Sequence, residues 1–565
     1  MCRFNVPTSR RKELLLRDIE KKNKADERLI VRMSSMTSLF VALQSFLALS
    51  ILLNGVQIEA LVSQSPNARP STVRFSTTTT AVDKVTETDP SLLSLPPQKG
   101  GPLRRFRDTF AYIKDAQAFV NKRSAELGPV FRMYYFFQPI VMVGGQDAVA
   151  EFITGKELKA EVVYPQLPDP FLELHTKWGA LNLDANDILF KQARGLFKDI
   201  LQTPEALSYY AKTIEPEIER YVEELAQRVK NNPDEEFYLV PEIKELCLQI
   251  FSNIFSGQGL TEEQVQMFTD YNAALFALSK GSGQFKKGKE ALETLKVEMS
   301  RRLGELDDPS IDASVAGKFY RDKVAGREGF EDEDRIGVAS VLFVWGAYIE
   351  CASLMVGTLA LMHQYNAGSR DHVLDEFKVR KSKGLDPTEF KFWSSMPYTV
   401  GVLRETLRLE APGAGVPRYG PSDFALAGYR IPAKRAVMLD PRIGNSDPKL
   451  YAEPQQFEPF RWTPKSKEEE SASSACPLRG SALKLGPGSW FPGGSGAHQC
   501  PGLPLAELVS TIFVAKVSER FTSWEFGGSG LTRDGEINYE TVPVKICPPD
   551  FGLKFQLAEK SMESS

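Results

Sequence analysis

The sequence is poor in the residues from which most protein metal sites and disulfide frameworks are built. It has six cysteines in 565 residues, and no two of them form a CxxC pair. Such scattered cysteines argue against a zinc module and against a disulfide scaffold. Only four histidines occur, which leaves little for a metal site made of imidazoles. A formal net charge of −4 gives no reason to expect a nucleic-acid partner.

What is present is the composition of an ordinary globular protein, with 42% hydrophobic and 25% charged residues. The length suits one large domain with additional segments, or several small domains. Composition changes along the chain, and these changes predict four parts: residues 1–62, 63–94, 95–558 and a short tail, 559–565.

The first two parts have the composition of targeting segments. An apolar run from Leu39 to Leu53 has the length of a signal-peptide core and is shorter than the about 20 residues that span a bilayer. Residues 63–86 are rich in Ser, Thr and Pro and contain almost no acid, as in transit peptides. In succession they resemble the presequence of proteins sent to a plastid bounded by extra membranes. The alternative is a short anchor in the endoplasmic reticulum membrane, and we expect membrane association.

The most informative stretch runs from Phe491 to Ala506 and places a cysteine after a glycine-rich turn. Its glycines allow a tight turn and a close approach to a flat ligand. Cys500 then precedes an apolar run, beginning at Leu503, that predicts a buried helix. The free N–H groups at a helix start favour a thiolate, and a thiolate beneath a flat ligand is a known axial ligand of heme iron. The alternative interpretation is a buried free cysteine beside an ordinary loop.

A second long stretch, Ile336 to Met362, is apolar or small except for one carboxylate, Glu350. It predicts a single long helix, which has the length to cross a membrane. A carboxylate at mid-span is costly in lipid, and the acidic residues 331–334 suit the positive end of a soluble helix. We therefore expect a helix buried through the middle of a large domain.

A third motif lies between Met396 and Pro412. Glu405 and Arg408 are three residues apart, so they share one helix face and can pair. A lone ExxR pair is common in charged helices. Its position inside the longer pattern MPY…ETLRL…P makes this occurrence specific.

Together these motifs resemble the cytochrome P450 family. Gly496, His498, Gly502 and Ala506 stand at the family's spacing from Cys500. The resemblance covers about residues 95–558, with the motifs in the family's order. It implies a mainly α fold with a small β region, a heme b cofactor and an iron ligand at Cys500.

The resemblance also assigns roles to other residues. The family's heme-propionate contacts correspond to Arg194, Arg418 and His498. A guanidinium and a carboxylate make a strong, charge-assisted contact, although Arg194 alone also suits a solvated helix position. The family's structural charge cluster corresponds to Glu405, Arg408 and Arg461.

Two positions depart from the family pattern. Gly493 stands where the family usually has a phenylalanine beside the sulfur, which affects the tuning of the iron potential. Cys351 stands where the family usually has a threonine after the acid, here Glu350. A thiol is a much weaker hydrogen-bond donor than a hydroxyl. We therefore expect Glu350, with Cys351 or Ser353, to handle protons.

The expected activity is that of a monooxygenase acting on a lipophilic substrate, namely a terpenoid, sterol, carotenoid or fatty acid. It would use dioxygen and two electrons from a ferredoxin or a flavoprotein reductase. Cys351 leaves a second hypothesis open, an isomerase or lyase of hydroperoxides resembling allene oxide synthase, which needs neither dioxygen nor reductase. A third hypothesis is a non-catalytic heme- or lipid-binding protein.

Shorter patterns complete the expected fold. Helices are predicted over residues 214–229 and 241–255. Hairpins are predicted from 130–137 with 140–143 around Gln138 and Pro139, from 424–429 with 436–439, and near 547–557. Residues 466–488, rich in Ser, Glu, Lys and Gly, predict a solvated insertion.

Overall fold

The computed structural model describes residues 93–558, except 102, 156–163, 166–168, 176–187, 278, 310–315, 325–332, 367, 414, 416, 464–485, 487, 495–498 and 541–543. All of them belong to the second of two compact units, Met1–Val85 and Thr86–Ser565. The targeting segments, nearly all of the predicted insertion and the tail lie outside the described residues. The expectations for those segments stay predictions.

The described part is mainly helical, as expected. Its helices are α1 (Arg104–Lys114), α2 (Ala116–Leu127), α3 (Gln146–Thr154), α4 (Asp169–Leu174), α5 (Ile188–Leu201), α6 (Pro204–Asn231), α7 (Leu239–Ser256), α8 (Glu262–Leu275), α9 (Gly283–Gly304), α10 (Ala316–Val324), α11 (Glu333–Trp345), α12 (Tyr348–Tyr365), α13 (Ser369–Ser382), α14 (Phe390–Ser394), α15 (Pro397–Leu409), α16 (Pro441–Asn445) and α17 (Leu503–Arg520), with a 3-10 helix at Pro459–Trp462. The helices predicted over 214–229 and 241–255 are confirmed as parts of α6 and α7.

The strands form three small sheets. They are β1 (Val130–Tyr135), β2 (Gln138–Val143), β3 (Tyr164–Pro165), β4 (Phe237–Tyr238), β5 (Arg418–Tyr419), β6 (Phe424–Leu426), β7 (Tyr429–Ile431), β8 (Ala436–Leu439), β9 (Phe521–Phe526) and β10 (Gly552–Leu557). The strand orders are β1-β2-β8-β5-β3, β4-β10-β9 and β6-β7. Together with the helices, they confirm a mainly α fold with a small β region.

The first predicted hairpin exists, but its turn is not where the proline suggested. Pro139 lies in the ladder opposite Tyr134, and the turn residues are Phe136 and Phe137. Both have positive φ angles, 44° and 63°. Two-residue hairpin turns need this left-handed backbone, which glycine or asparagine usually supplies. The turn was missed because phenylalanine is an uncommon residue for that conformation.

The other two hairpins were predicted with the wrong partners. Strand β6 pairs with β7 across a tight turn, while β8 joins β2 in parallel, with Ile140 opposite Ala436. Near the end of the chain, β10 pairs with β9 and β4 rather than with an adjacent segment. In both cases pairing to a distant strand replaced the short-range pairing that the alternation of residues favoured.

The predicted central helix is buried, as expected, but it is interrupted. Helix α11 ends at Trp345, where the N–H of Gly346 donates to the Leu342 carbonyl at 2.8 Å. Helix α12 then begins, and the N–H of Cys351 donates to the Ala347 carbonyl at 3.3 Å. The stretch Gly337–Tyr365 is long and apolar enough to cross a membrane, but 72% of its apolar 18-residue window is buried inside the protein.

The carboxylate of Glu405 holds α15 to the 3-10 helix. It is fully buried, and its Oε1 accepts from Arg408 at 2.7 Å and from Arg461 at 2.9 Å. Its Oε2 accepts from Arg408 and from the indole N–H of Trp462, both at 2.8 Å. The charge cluster therefore joins two segments that are about fifty residues apart in sequence.

We predict that Glu405→Ala destabilises the protein by about 3–5 kcal/mol, because it leaves two guanidinium groups without their buried counter-charge. Denaturant unfolding followed by circular dichroism measures the loss, with Glu405→Gln as a milder variant if the alanine protein does not accumulate. The control is Glu224→Ala, which removes an exposed partner of Arg220 at 2.9 Å and should cost at most about 1 kcal/mol. Equal losses in the two alanine variants would contradict the prediction.

Candidate functional site

Cys500 sits on a tight loop that ends at the start of a buried helix. Its N–H donates to the Gly493 carbonyl at 2.7 Å, which closes the loop, and α17 begins three residues later. The backbone N–H groups of Gly502 and Leu503 donate to the Cys500 sulfur. The predicted helix start beside the cysteine is confirmed.

The Cys500 side chain is accessible, yet protein surrounds it. Cys500 has accessible surface. Protein atoms nevertheless surround its thiol, and this burial is the largest effect on the pKa of Cys500, which it raises. The N–H donors and the nearby Arg194 cation oppose that rise. Both observations hold if the accessible surface of the sulfur faces an enclosed space inside the domain rather than open solvent. The sulfur is thus available to a ligand that occupies that space.

The interruption of the central helix has an accessible surface of its own. Gly346 and Glu350 are exposed and Ala347 is half-buried, whereas the flanking residues of α12 are buried. Burial raises the pKa of Glu350 to about 7. The charge of Glu350 is also near enough to raise the pKa of Cys500. The carboxyl and the sulfur therefore lie close enough to interact.

The two other proton-handling candidates have different surroundings. Cys351 is 1% exposed; burial and then the neighbouring Cys247 of α7 raise its pKa far above the usual value. Ser353 is buried, and its hydroxyl donates to the Lys545 carbonyl at 2.6 Å. The structure places Glu350 on the accessible face, and places Cys351 and Ser353 in packed surroundings.

The propionate candidates are placed unequally. Arg194, on α5, donates to the carbonyl of Gln499, the residue before Cys500. Arg418 is buried with its guanidinium carbon 5.1 Å from the centre of the Phe152 ring. Burial alone lowers the pKa of Arg418 to about 10, and no carboxylate of the described residues pairs with it. His498 lies outside the described residues.

These features fit heme b. A buried cation with no counter-charge is costly, and an anionic group such as a propionate would relieve that cost at Arg418. One accessible sulfur, with N–H donors and a nearby arginine, is the donor set of a single axial thiolate. A β-carbon at Gly493 would lie 3.2 Å from that of Cys500, so the loop packs tightly against the cysteine without the family's ring. No cluster of three or more metal-ligating side chains occurs among the described residues.

Sequence reasoning missed a group of polar and aromatic residues beside the helix interruption. The Trp345 indole donates to Asn272 at 3.0 Å. The buried His175 bonds through Nε2 to the Tyr271 hydroxyl at 2.5 Å and through Nδ1 to the Phe171 carbonyl at 2.9 Å. Burial lowers the pKa of His175 to about 4, so the ring is neutral. The group joins α4, α8 and α11, and no sequence motif links these segments.

Sequence reasoning also missed the contacts that hold the cysteine loop in place. Arg404 pairs with Glu507 of α17 at 3.3 Å, and both are buried. The guanidinium of Arg404 lies 5.8 Å from the centre of the Trp490 ring, which in turn packs against Trp462 at 5.1 Å. The cysteine loop is thereby fixed to α15 from both of its sides.

Similarity to known proteins agrees with this geometry. The Cytochrome P450 family model matches residues 375–532. The putative cytochrome P450 120 of Synechocystis sp. is 22% identical over 441 residues, which are 76% of this chain and 90% of the relative. Cytochrome P450 85A1 of Solanum lycopersicum is 23% identical over 451 residues, 78% of this chain and 89% of the relative.

A third relative, (1S)-1-hydroxy-luvungin A synthase CYP88A37 of Citrus sinensis, is 26% identical over 413 residues, which are 68% of this chain and 75% of the relative. Among solved structures, retinoic acid bound cyanobacterial CYP120A1 matches with a TM-score of 0.66 at 19% identity. That match covers 82% of this chain and 100% of the other, and it shows a shared fold. Together, the family match, the relatives and the shared fold support membership of the cytochrome P450 family, whose members are heme b monooxygenases.

Proposed function

We propose that this P450 hydroxylates or epoxidises a lipophilic substrate of the terpenoid, sterol, carotenoid or fatty-acid class, using dioxygen and two electrons. The observation that carries the proposal is the face of the central helix beside Cys500. Trp345, Gly346 and Ala347 there are apolar, and Glu350 is the one ionisable side chain among the described residues of that face. Such a wall suits an apolar substrate and offers a single proton donor.

The relatives support this class of substrate through their names. One is a synthase of a 1-hydroxy compound, and the solved CYP120A1 holds retinoic acid. When bound, a thiolate-ligated heme supplies dioxygen activation, because the sulfur pushes electron density toward the iron. The protein's contribution is to hold the cofactor, exclude water and deliver protons.

Each candidate residue has a role in this proposal. Cys500 is the iron ligand, and Arg194, Arg418 and His498 hold the propionates. Glu350 can both hold and release a proton near neutral pH, because burial raises its pKa to about 7. Cys351 and Ser353 shape the wall behind Glu350, since both are buried and the Ser353 hydroxyl is already bonded to a carbonyl.

The electron donor and the location are linked. A plastid enzyme would use ferredoxin, and an enzyme of the endoplasmic reticulum membrane would use a flavoprotein reductase. The composition of residues 39–86 supports the plastid. Reconstitution with each donor in turn tests this choice, and a preference for the flavoprotein reductase would count against the plastid.

We expect the reduced, carbon-monoxide-bound protein to show the Soret band of a thiolate-ligated heme, and Cys500→Ser to abolish it. Product should form only with dioxygen and an electron donor, measured against a panel of terpenoids, sterols, carotenoids and fatty acids. Turnover of a fatty-acid hydroperoxide without either would establish the isomerase or lyase instead. If the heme-loaded protein transforms no member of the panel, that result would favour a non-catalytic binding protein. The family does not favour either alternative.

We predict that Arg418→Gln releases heme about tenfold faster, because a hydrogen bond to a charged group contributes about 1.5–3 kcal/mol. Transfer of heme to excess apomyoglobin measures the rate, and Arg533→Gln, at an exposed position, is the matched control. The heme-free variant should be no less stable than the heme-free parent, because the substitution removes a buried cation that pairs with no carboxylate of the described residues. Unchanged heme release with lower stability of the heme-free protein would assign Arg418 a purely structural role.

We predict that turnover falls as pH rises through about 7, because the Glu350 carboxyl, whose pKa lies there, loses its proton. Glu350→Gln should remove this limb of the pH profile and lower the turnover number by about 10²-fold. It should also raise the electron donor consumed per product formed. Glu536→Gln, at an exposed carboxylate, is the control and should leave the profile unchanged. A limb that persists in Glu350→Gln assigns it to another group.

A further inference from the structure

Helix α8 is bonded to both sides of the break in the central helix. The indole N–H of Trp345, the last residue of α11, donates to Oδ1 of Asn272 on α8 at 3.0 Å. The hydroxyl groups of Tyr348, the first residue of α12, and Thr269 on α8 are hydrogen-bonded to each other. Only two residues separate α11 from α12, and neither is a proline. The neighbouring helix thus contacts the central helix exactly where its own backbone is discontinuous.

The spacing of these contacts makes α8 a rigid bridge across the break. Thr269 and Asn272 are three residues apart, so they lie on one face of an uninterrupted helix. Trp345 and Tyr348 are also three residues apart, but the break lies between them. A continuous helix would fix the separation of such a pair through its own backbone hydrogen bonds. Across this break, the two bonds to α8 fix it instead.

The Trp345 end of the bridge is held on several sides. The centre of its ring lies 5.9 Å from that of Tyr271 on α8 and 6.3 Å from that of Phe171 on α4. The Tyr271 hydroxyl is itself bonded to the buried His175. An indole only donates, so the atom of Asn272 that faces it is the amide oxygen. The direction of the Trp345–Asn272 bond is therefore defined by the surroundings of both partners.

Glu350 depends on where α12 begins. It lies in the first turn of that helix, two residues after Tyr348. Its carboxylate accepts from its own backbone N–H, one of the free donors at a helix start. Glu350 is exposed whereas Tyr348 and Ile349 are buried, so the start of α12 decides which of these side chains reaches the accessible face.

We propose that Asn272 and Thr269 are positioning residues that hold the start of α12, so that the Glu350 carboxyl lies on the accessible face of the central helix. They act through Trp345 and Tyr348. A start of α12 that moves by one residue turns the carboxyl by about 100° around the helix axis. The inference rests on the proposed role of Glu350 in proton delivery, while the bridge itself does not.

Hydrogen exchange of the full-length, heme-loaded protein tests the bridge without reference to turnover. The N–H of Gly346 donates to the Leu342 carbonyl at 2.8 Å, and that of Cys351 donates to the Ala347 carbonyl at 3.3 Å. These two amides lie on either side of the break. Their exchange, followed by mass spectrometry of peptides that cover residues 343–352, reports how firmly the two helix ends are held.

Asn272→Leu and, separately, Thr269→Val each remove one bond with little change of shape. Each should speed exchange in these peptides about fivefold, the factor that one lost hydrogen bond gives. Exchange in α17 should stay unchanged, which separates the local effect from general destabilisation. Thr269→Ser keeps a hydroxyl and should restore the slow exchange.

The matched control is Gln266→Leu on the same helix. It removes a hydrogen bond to Asp270 of 3.1 Å at an exposed position and should leave the exchange of residues 343–352 unchanged. Unchanged exchange in both Asn272→Leu and Thr269→Val, or an equal increase in the control, would show that α8 does not hold the break.

The link to Glu350 is tested by the electron donor consumed per product formed. Asn272→Leu should raise this ratio severalfold, but it should add nothing in a protein that already carries Glu350→Gln, because the group that it positions is then absent. Faster exchange with an unchanged ratio, or an equal added effect in the Glu350→Gln protein, would refute the positioning role. If Glu350→Gln alone changes neither turnover nor its pH profile, the proposed role of Glu350 fails and the positioning role with it, whereas the exchange data still decide the bridge.

Discussion

The proposed site depends on holding a negative sulfur inside the protein. Burial opposes charge on Cys500, and the N–H groups of Gly502 and Leu503 together with Arg194 favour it. These donors come from a helix start and from a second helix, so they are fixed before any ligand arrives. A heme iron held by Cys500 would add positive charge beside the sulfur and favour the thiolate further.

The structural charge cluster and the cysteine loop are parts of one support. Glu405 receives the indole N–H of Trp462, and Trp462 packs against Trp490, which stands just before the glycines of the loop. The neighbouring Arg404 contacts the Trp490 ring and pairs with Glu507 on the helix that follows the cysteine. Both ends of the loop are thereby fixed to α15. A disturbance at Glu405 would reach the sulfur through these two contacts.

Prediction from sequence succeeded where one residue pattern reports one local structure. The helix after Cys500, the Glu405–Arg408 pair and the buried central stretch are of this kind, because spacing alone carries the information. It failed where distant segments decide. The pairing of β8 with β2 and of β10 with β9 follows from packing between remote strands. The interruption after Trp345 is marked in the sequence only by Gly346, and one glycine does not predict a break in a helix. That no carboxylate of the described residues pairs with Arg418 is visible only in the folded protein.

The two departures from the family pattern differ in their physical consequence. At Gly493 the backbone itself packs against the cysteine β-carbon, so the missing ring is partly replaced by close contact, while Trp490 supports the loop from farther back. At Cys351 the thiol is buried, and burial is the largest effect that raises its pKa, followed by the nearby Cys247, Glu350 and Cys500. The S–H group of Cys351 is a weak hydrogen-bond donor, so it cannot replace a threonine hydroxyl at that position. In the proposed mechanism the carboxyl therefore bears the proton delivery that an acid and a hydroxyl share elsewhere in the family, and its pKa near neutrality suits it to that task.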